Sequence, residues 1–229
     1  MARGSTCAIY RSMAATLRVG VLISGRGSNL QALIEACAAP GFPARIVHVL
    51  SNKADAGGLE KAQAAGIATT VLRHRDFDSR EAFDAAMSEH LRAAGVDMVC
   101  LAGFMRLLSD SFVTAWKDRL INIHPSLLPA FKGLHVHERV LEAGVKITGC
   151  TVHFVRTEMD SGPVIAQAAV PVAEDDDADS LAARVLTEEH RIYPLALRLL
   201  AEGRVRLAGE RAVIDRACPP GQALISPSG

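Results

Sequence analysis

From Arg18 onward, short β-rich apolar runs alternate with longer segments of helical spacing, and this rhythm constrains the fold more than any single motif. "RVGVLIS" (18–24) reads as a strand. "NLQALIEACAA" (29–39) repeats Leu30, Leu33, Ile34 and Cys37 along one helix face. "ARIVHVLSN" is a second strand, "GLEKAQAAG" a short helix and "ATTVLRH" a third strand. "DSREAFDAAMSEHLRAAG" opens on Ser79, a good helix cap, and sets Phe83, Met87 and Leu91 on one face. "DMVCLAG", a helix around "LSDSFVTAWKD" and "RLINIHP" continue the pattern. Strands linked by helices run parallel through right-handed crossovers, so the expected fold is α/β: a Rossmann-like open sheet, mostly parallel, with helices on both faces.

The rhythm changes past residue 146. "TGCTVHFV" and "GPVIAQAAVPV" are β-rich and joined by a polar turn with Asp160, Ser161 and Gly162, which predicts an antiparallel hairpin extending the sheet. A helix is expected from about Ser180 to Ala201, with a kink or early break at Tyr193-Pro194, and "RVRLAG" reads as a last short strand. The expected organisation is one domain over 18–207, a flexible extension over 1–17 and a tail over 208–229, where "CPPGQALISPSG" has the composition of an unstructured end.

The 25 Lys and Arg balance the 25 Asp and Glu, which argues against nucleic-acid binding through a broad basic face. Five scattered cysteines form no CxxC pair, fit neither a disulfide framework nor a zinc ribbon, and suit a reducing cytoplasm. Apolar runs fall short of the roughly 18 residues a membrane span needs. A soluble cytoplasmic protein is expected, without nucleic-acid or membrane partners.

"SGRGSN" (24–29) leaves a strand and enters a helix, a setting in which backbone N–H groups and the helix dipole hold a phosphate. Gly25 and Gly27 permit close approach; Ser28 and Asn29 are expected to cap the helix and add hydrogen bonds. Leu30 stands where a dinucleotide fingerprint needs its third glycine, and no Gly-Lys-Ser/Thr follows. A small phosphorylated ligand is therefore expected rather than NAD or ATP, although a plain βα turn would look the same.

In "LINIHPSLLP" (120–129), Asn122 and His124 share one face of a strand and lie near its carboxyl end, where open α/β sheets bind ligands. An amide beside an imidazolium can stabilise an oxygen that gains charge as a carbonyl becomes tetrahedral. A nearby carboxylate would favour the cationic ring, and Asp160, Glu158 and Asp118 are equal candidates on the residues alone. A packed, hydrogen-bonded histidine is the bland alternative.

"VLISGRGSNLQALI", "VLSNKADAGGLEKAQAAGI", "LAGFMRLLS", "LINIHPSLLPAFKG", "TGCTVHFV", "MDSGPVIAQ" and "EEHRIYPLAL" together resemble the 10-formyltetrahydrofolate-dependent formyltransferases. "GRGSN" and "EEHRIYP" point to the branch acting on glycinamide ribonucleotide. The resemblance implies direct formyl transfer from folate N10 to a primary amine, with Asn122, His124 and Asp160 as the catalytic trio. It implies that Gly27, Ser28 and Asn29 bind the substrate phosphate and that Glu189 also binds the ribonucleotide. For the folate cosubstrate it implies Arg80, with Met105, Arg106, Leu107, Leu108, Arg156, Thr157, Glu158 and Met159 as pocket walls. No metal or nicotinamide is implied, and the chain is expected as monomer or homodimer. Leu186 stands where some relatives carry Gln near the ribonucleotide, and the "PAFKG" loop varies.

His135 and His137 in "GLHVHE" lack partners at metal-ligand spacing and read as a loop near the substrate. His153 reads equally as a site residue or a strand residue, and "EDDDAD" (174–179) as a solvated run before a helix. Three other readings compete. A methionyl-tRNA formyltransferase would be expected to carry a C-terminal domain, and a formyltetrahydrofolate hydrolase an N-terminal regulatory one. A non-catalytic phosphometabolite-binding protein would leave the trio unexplained.

Overall fold

The computed structural model describes residues 16–215 together with Leu224 and Ser226. Most of the expected extension, and the expected tail past Asp215 apart from those two residues, lie outside the described residues.

The chain runs β1 (Leu17–Ile23), α1 (Ser28–Ala38), β2 (Ala44–Ser51), α2 (Gly58–Ala64), β3 (Thr69–Val71), a 3-10 turn (His74–Asp76) and α3 (Arg80–Ala93). It continues β4 (Met98–Leu101), α4 (Asp110–Ala115), β5 (Leu120–His124), α5 (Val136–Glu142), β6 (Ile147–Phe154), β7 (Val164–Pro171), α6 (Ala178–Ala201), β8 (Val205–Ala208) and β9 (Arg211–Ile214). Seven strands form one sheet in the order β3-β2-β1-β4-β5-β6-β7. The first five pair in parallel, β6 and β7 antiparallel. The chain works outward from β1 to β3, then returns through α3 to β4 on the other side of β1. The loops after β1 and β4 therefore diverge and open a crevice at the carboxyl edge.

Period-2 alternation divides the core. Val19, Val21 and Ile23 of β1 pack with α1, α2, α5 and α6, while Leu22 packs with Phe83, Met87 and Leu91 of α3 and Phe112 of α4. Full burial of a side chain such as Leu22 contributes about 2 kcal/mol. Gly20 lets α3 approach: a Cβ there would lie 2.6 Å from Leu91 Cδ2.

Several local expectations change. Ser79 does cap α3, its Oγ accepting from Ala82 N at 3.0 Å. The cap of α1, however, is Gly27 in the left-handed region (φ 69°), with no side-chain hydrogen bond from Ser28 or Asn29. Helix α6 starts at Ala178, behind an Asp177–Ser180 capping box, and continues through Pro194 without a break. Proline removes one backbone bond there, but buried Tyr193, Ala196 and Leu197 hold both sides of it to the core. The expected domain limit at 207 cuts through β8, whose antiparallel pairing with β9 carries ordered chain past the expected start of the tail.

Candidate active site

Strand β5 ends at the carboxyl edge, and its register with β6 sets Asn122 opposite His153 and His124 opposite Thr151. His124 is buried. Its Nε2 lies 3.0 Å from the Phe131 carbonyl, which can only accept, so Nε2 carries a hydrogen. Nδ1 lies 3.5 Å from Asp160 Oδ2, and a proton on it would sit between ring and carboxylate. Asp160 Oδ2 also accepts from Gly133 N at 2.9 Å. Of the three carboxylates open on sequence, Asp160 is the one brought to His124; Glu158 pairs with Lys132 and Asp118 with Arg156.

His153 joins this group. Its Nδ1 donates to the Phe154 carbonyl at 2.9 Å, which leaves Nε2 as an acceptor 3.4 Å from Asn122 Nδ2 and 3.8 Å from Asp160 Oδ1. Burial pushes its pKa below the ordinary histidine value, so the ring stays neutral and keeps that lone pair. One Asn122 N–H is thereby oriented, and the other is free for a ligand oxygen. Cross-strand pairing with Asn122 is the signal that identifies His153, and it exists only once β6 is known to be antiparallel.

Phe131, His135 and Asp160 all hold positive φ (53°, 55° and 50°). Such conformations cost on the order of 1 kcal/mol each and cluster where a loop must deliver a group to a fixed point. His137, half-buried on α5, has an unpartnered buried Nδ1, and burial lowers its pKa.

Across the crevice, the N-terminus of α1 presents free first-turn N–H groups, since the first helical bond runs from Gln31 N to Gly27 O. Gly27 is required by contact as well as by φ, because a Cβ there would lie 2.5 Å from Gly58 Cα. Asn29 donates from Nδ2 to Glu189 Oε2 at 2.7 Å, while its Oδ1 is buried without a partner. Burial pushes the Glu189 carboxyl above its ordinary pKa, partly offset by that amide. Glu189 interrupts the apolar stripe Leu181, Val185, Tyr193 and Leu197 of α6, the kind of buried acid that marks a binding position.

The loop after β4 is tied to the same edge. Ser24 Oγ accepts from Met105 N at 2.8 Å and donates to Asn52 Oδ1 at 2.6 Å. Met105 and Leu107 are exposed, as is Met159 on the loop after β6. The structure treats the two expected folate arginines of the first half differently: Arg80 is half exposed beside Glu81, and Arg106 lies over the Phe83 ring with an unpartnered buried Nε. Arg156 directs its guanidinium away from solvent, onto Asp118 and Glu210. Thr157 and Glu158 are exposed on the same loop.

Cys37, Cys100 and Cys150 are free thiols, and burial pushes Cys37 to about 11 and Cys150 to about 12, so they stay protonated. Among the described residues there is no group of His, Cys, Asp and Glu suited to a metal ion, and no helix long and apolar enough to cross a membrane.

Residues 17–197 match the model of the formyl transferase family. The chain belongs to that family. Among its relatives, phosphoribosylglycinamide formyltransferase of Escherichia coli K12 is 50% identical over 209 residues, covering 90% of this chain and 99% of the relative. The bovine trifunctional purine biosynthetic protein adenosine-3 is 55% identical over 190 residues. That match covers 83% of this chain but 19% of the bovine protein's length. The crystal structure of glycinamide ribonucleotide transformylase 1 from Symbiobacterium toebii superposes with a TM-score of 0.86 at 51% identity, covering 91% of this chain and 97% of that one.

Proposed function

We propose that this formyltransferase carries the formyl group of 10-formyltetrahydrofolate to the primary amine of glycinamide ribonucleotide, a step of purine biosynthesis in the cytoplasm. The observation that carries the reading is the meeting of Asn122, His124 and Asp160 at the carboxyl end of β5, across the crevice from the open N-terminus of α1. The ribonucleotide phosphate would take the N–H groups of Ser28 and Asn29 at Gly27, and Glu189 would accept from ligand hydroxyls. The exposed apolar side chains of Met105, Leu107 and Met159 offer a wall for the pterin.

In this reading the substrate amine attacks the formyl carbon, and the carbonyl oxygen becomes an oxyanion. Asn122 donates to it from Nδ2. His124 donates the Nε2–H that otherwise meets the Phe131 carbonyl, once that carbonyl yields. Asp160 faces Nδ1, steadies the cationic ring and passes the amine proton through water to the folate nitrogen that leaves as tetrahydrofolate. No covalent enzyme intermediate forms. Each oxyanion donor contributes about 3 kcal/mol of transition-state stabilisation.

Two binding measurements test the ligand assignment. Calorimetry should find the dephosphorylated riboside at least about a hundredfold weaker than glycinamide ribonucleotide, since it lacks charge-assisted bonds to the helix terminus; equal affinities would contradict the phosphate loop. Because the Glu189 carboxyl is shifted upward, its carboxylate is present above that raised pKa and lost as pH falls through it. Ribonucleotide affinity should therefore drop on acidification in the wild type, and Glu189→Gln should remove that part of the pH dependence. An unchanged profile in the variant would contradict the role of Glu189.

A further inference from the structure

The loop that carries Asp160 is clamped at its root. Arg156 donates from Nε to Glu210 Oε2 at 2.8 Å, from Nη2 to Asp118 Oδ1 at 2.8 Å and from Nη1 to the Val155 carbonyl at 3.2 Å. Its side chain is 15% exposed, whereas those of Asp118 and Glu210 are 45% and 67% exposed, so the guanidinium is the covered centre of the triad. Asp118 lies in the turn before β5 with φ 62°, and Glu210 follows Gly209 in the turn between β8 and β9. Segments 38 and 54 residues away in sequence thus converge four positions before Asp160.

The rest of the loop has little slack. A Cβ on Gly162 would lie 1.8 Å from the Phe154 carbonyl oxygen and 3.2 Å from Arg156 Cγ, so the chain beyond Asp160 is pressed onto the arginine stem. At its outer edge the loop is held by Lys132 to Glu158 at 3.0 Å and by Gly133 N to Asp160. A cleft of about 370 Å³ separates Asp160, Ser161 and Gly162 from Glu210, Arg211 and Ala212, so the C-terminal hairpin faces the Asp160 loop directly.

We infer that Arg156 is a positioning residue for Asp160, and that through Glu210 the C-terminal hairpin belongs to the catalytic apparatus. The inference rests on the role proposed for Asp160. Arg156 acts through the backbone of residues 157–160, keeping the carboxylate within reach of His124 Nδ1. Partly exposed ion pairs add little to global stability. A displacement on the order of 1 Å at the reacting groups, by contrast, can lower a rate about a hundredfold.

The test is a double-mutant cycle on turnover with Arg156→Gln, Asp160→Asn and the double variant, followed in steady-state and single-turnover reactions with glycinamide ribonucleotide and 10-formyltetrahydrofolate. Arg156→Gln should lower kcat about ten- to a hundredfold with KM for the ribonucleotide within about twofold. Arg156→Lys should recover part of the loss, because a lysine reaches one carboxylate but not both. On the Asp160→Asn background, Arg156→Gln should add nothing, since no carboxylate remains to be positioned. Glu210→Gln, which leaves the loop sequence intact, should show a smaller loss that does not add to that of Arg156→Gln. Wild-type turnover in Arg156→Gln beside an impaired Asp160→Asn would overturn the inference alone, as would additive losses in the double variant. Normal turnover in Asp160→Asn would remove the role of Asp160 and the inference with it.

Discussion

Asp160→Asn should lower turnover by about a hundredfold to ten-thousandfold, the range expected when a positioned acid-base group is lost. Binding of glycinamide ribonucleotide should stay within a few-fold. The substitution keeps the shape of the side chain and the acceptor for Gly133 N, but removes the charge facing His124 Nδ1. Because no thiol or hydroxyl nucleophile enters the proposed reaction, the loss should appear in the transfer step and leave no trapped acyl-enzyme. Steady-state and single-turnover kinetics beside calorimetric affinities measure both halves; unchanged turnover, or a loss confined to binding, would contradict the role of Asp160.

Gly162→Ala should lower stability by about 2–3 kcal/mol and damage turnover as well. The added methyl would meet a backbone oxygen at 1.8 Å, and that oxygen cannot move without shifting Phe154, whose N–H bonds the Pro163 carbonyl at 2.9 Å. Either the end of β6 or the loop bearing Asp160 must give way. The midpoint of thermal unfolding should fall by about 5–10 °C in a chain of this size. Gly57→Ala is the matched comparison: its φ is −59° and the nearest atom to an added Cβ is Arg26 O at 3.8 Å, so it should stay within about 0.5 kcal/mol of wild type. Equal midpoints for the two variants would show that the contact at Gly162 relaxes without cost.

What sequence reveals here follows the range of the interactions. The alternation of β1 with α1 and β2 with α2 is local, and so is the Ser79 cap of α3. The shared face of Asn122 and His124 follows from the period of a strand. Period alone does not choose a carboxylate: Asp118, Glu158 and Asp160 are equivalent until the loop after β6 folds back and Gly133 fixes one of them. The left-handed conformations of Phe131, His135 and Asp160 carry no glycine signature, because tertiary contacts impose them. Ser28 and Asn29 look like cap residues by type, yet Gly27 takes the position, and the Asn29 amide turns to Glu189, 160 residues away.

Glu189 could have been singled out without any resemblance, since an acid in the middle of the Val185 and Tyr193 stripe is costly to bury unless something uses it. The partners of Arg156 could not, because both lie in other turns. The hairpin of β8 and β9 was half legible: "RVRLAG" reads as a strand, while its return over "RAVI" is four residues long and gains its stability from pairing rather than from pattern.

Incubating the protein with glycinamide ribonucleotide and 10-formyltetrahydrofolate and quantifying every product measures transfer between the two substrates directly. Formylglycinamide ribonucleotide and tetrahydrofolate should form in equal amounts, and only when both substrates are present. Formate released at a rate independent of the ribonucleotide, or no turnover of either substrate, would contradict the proposed transfer.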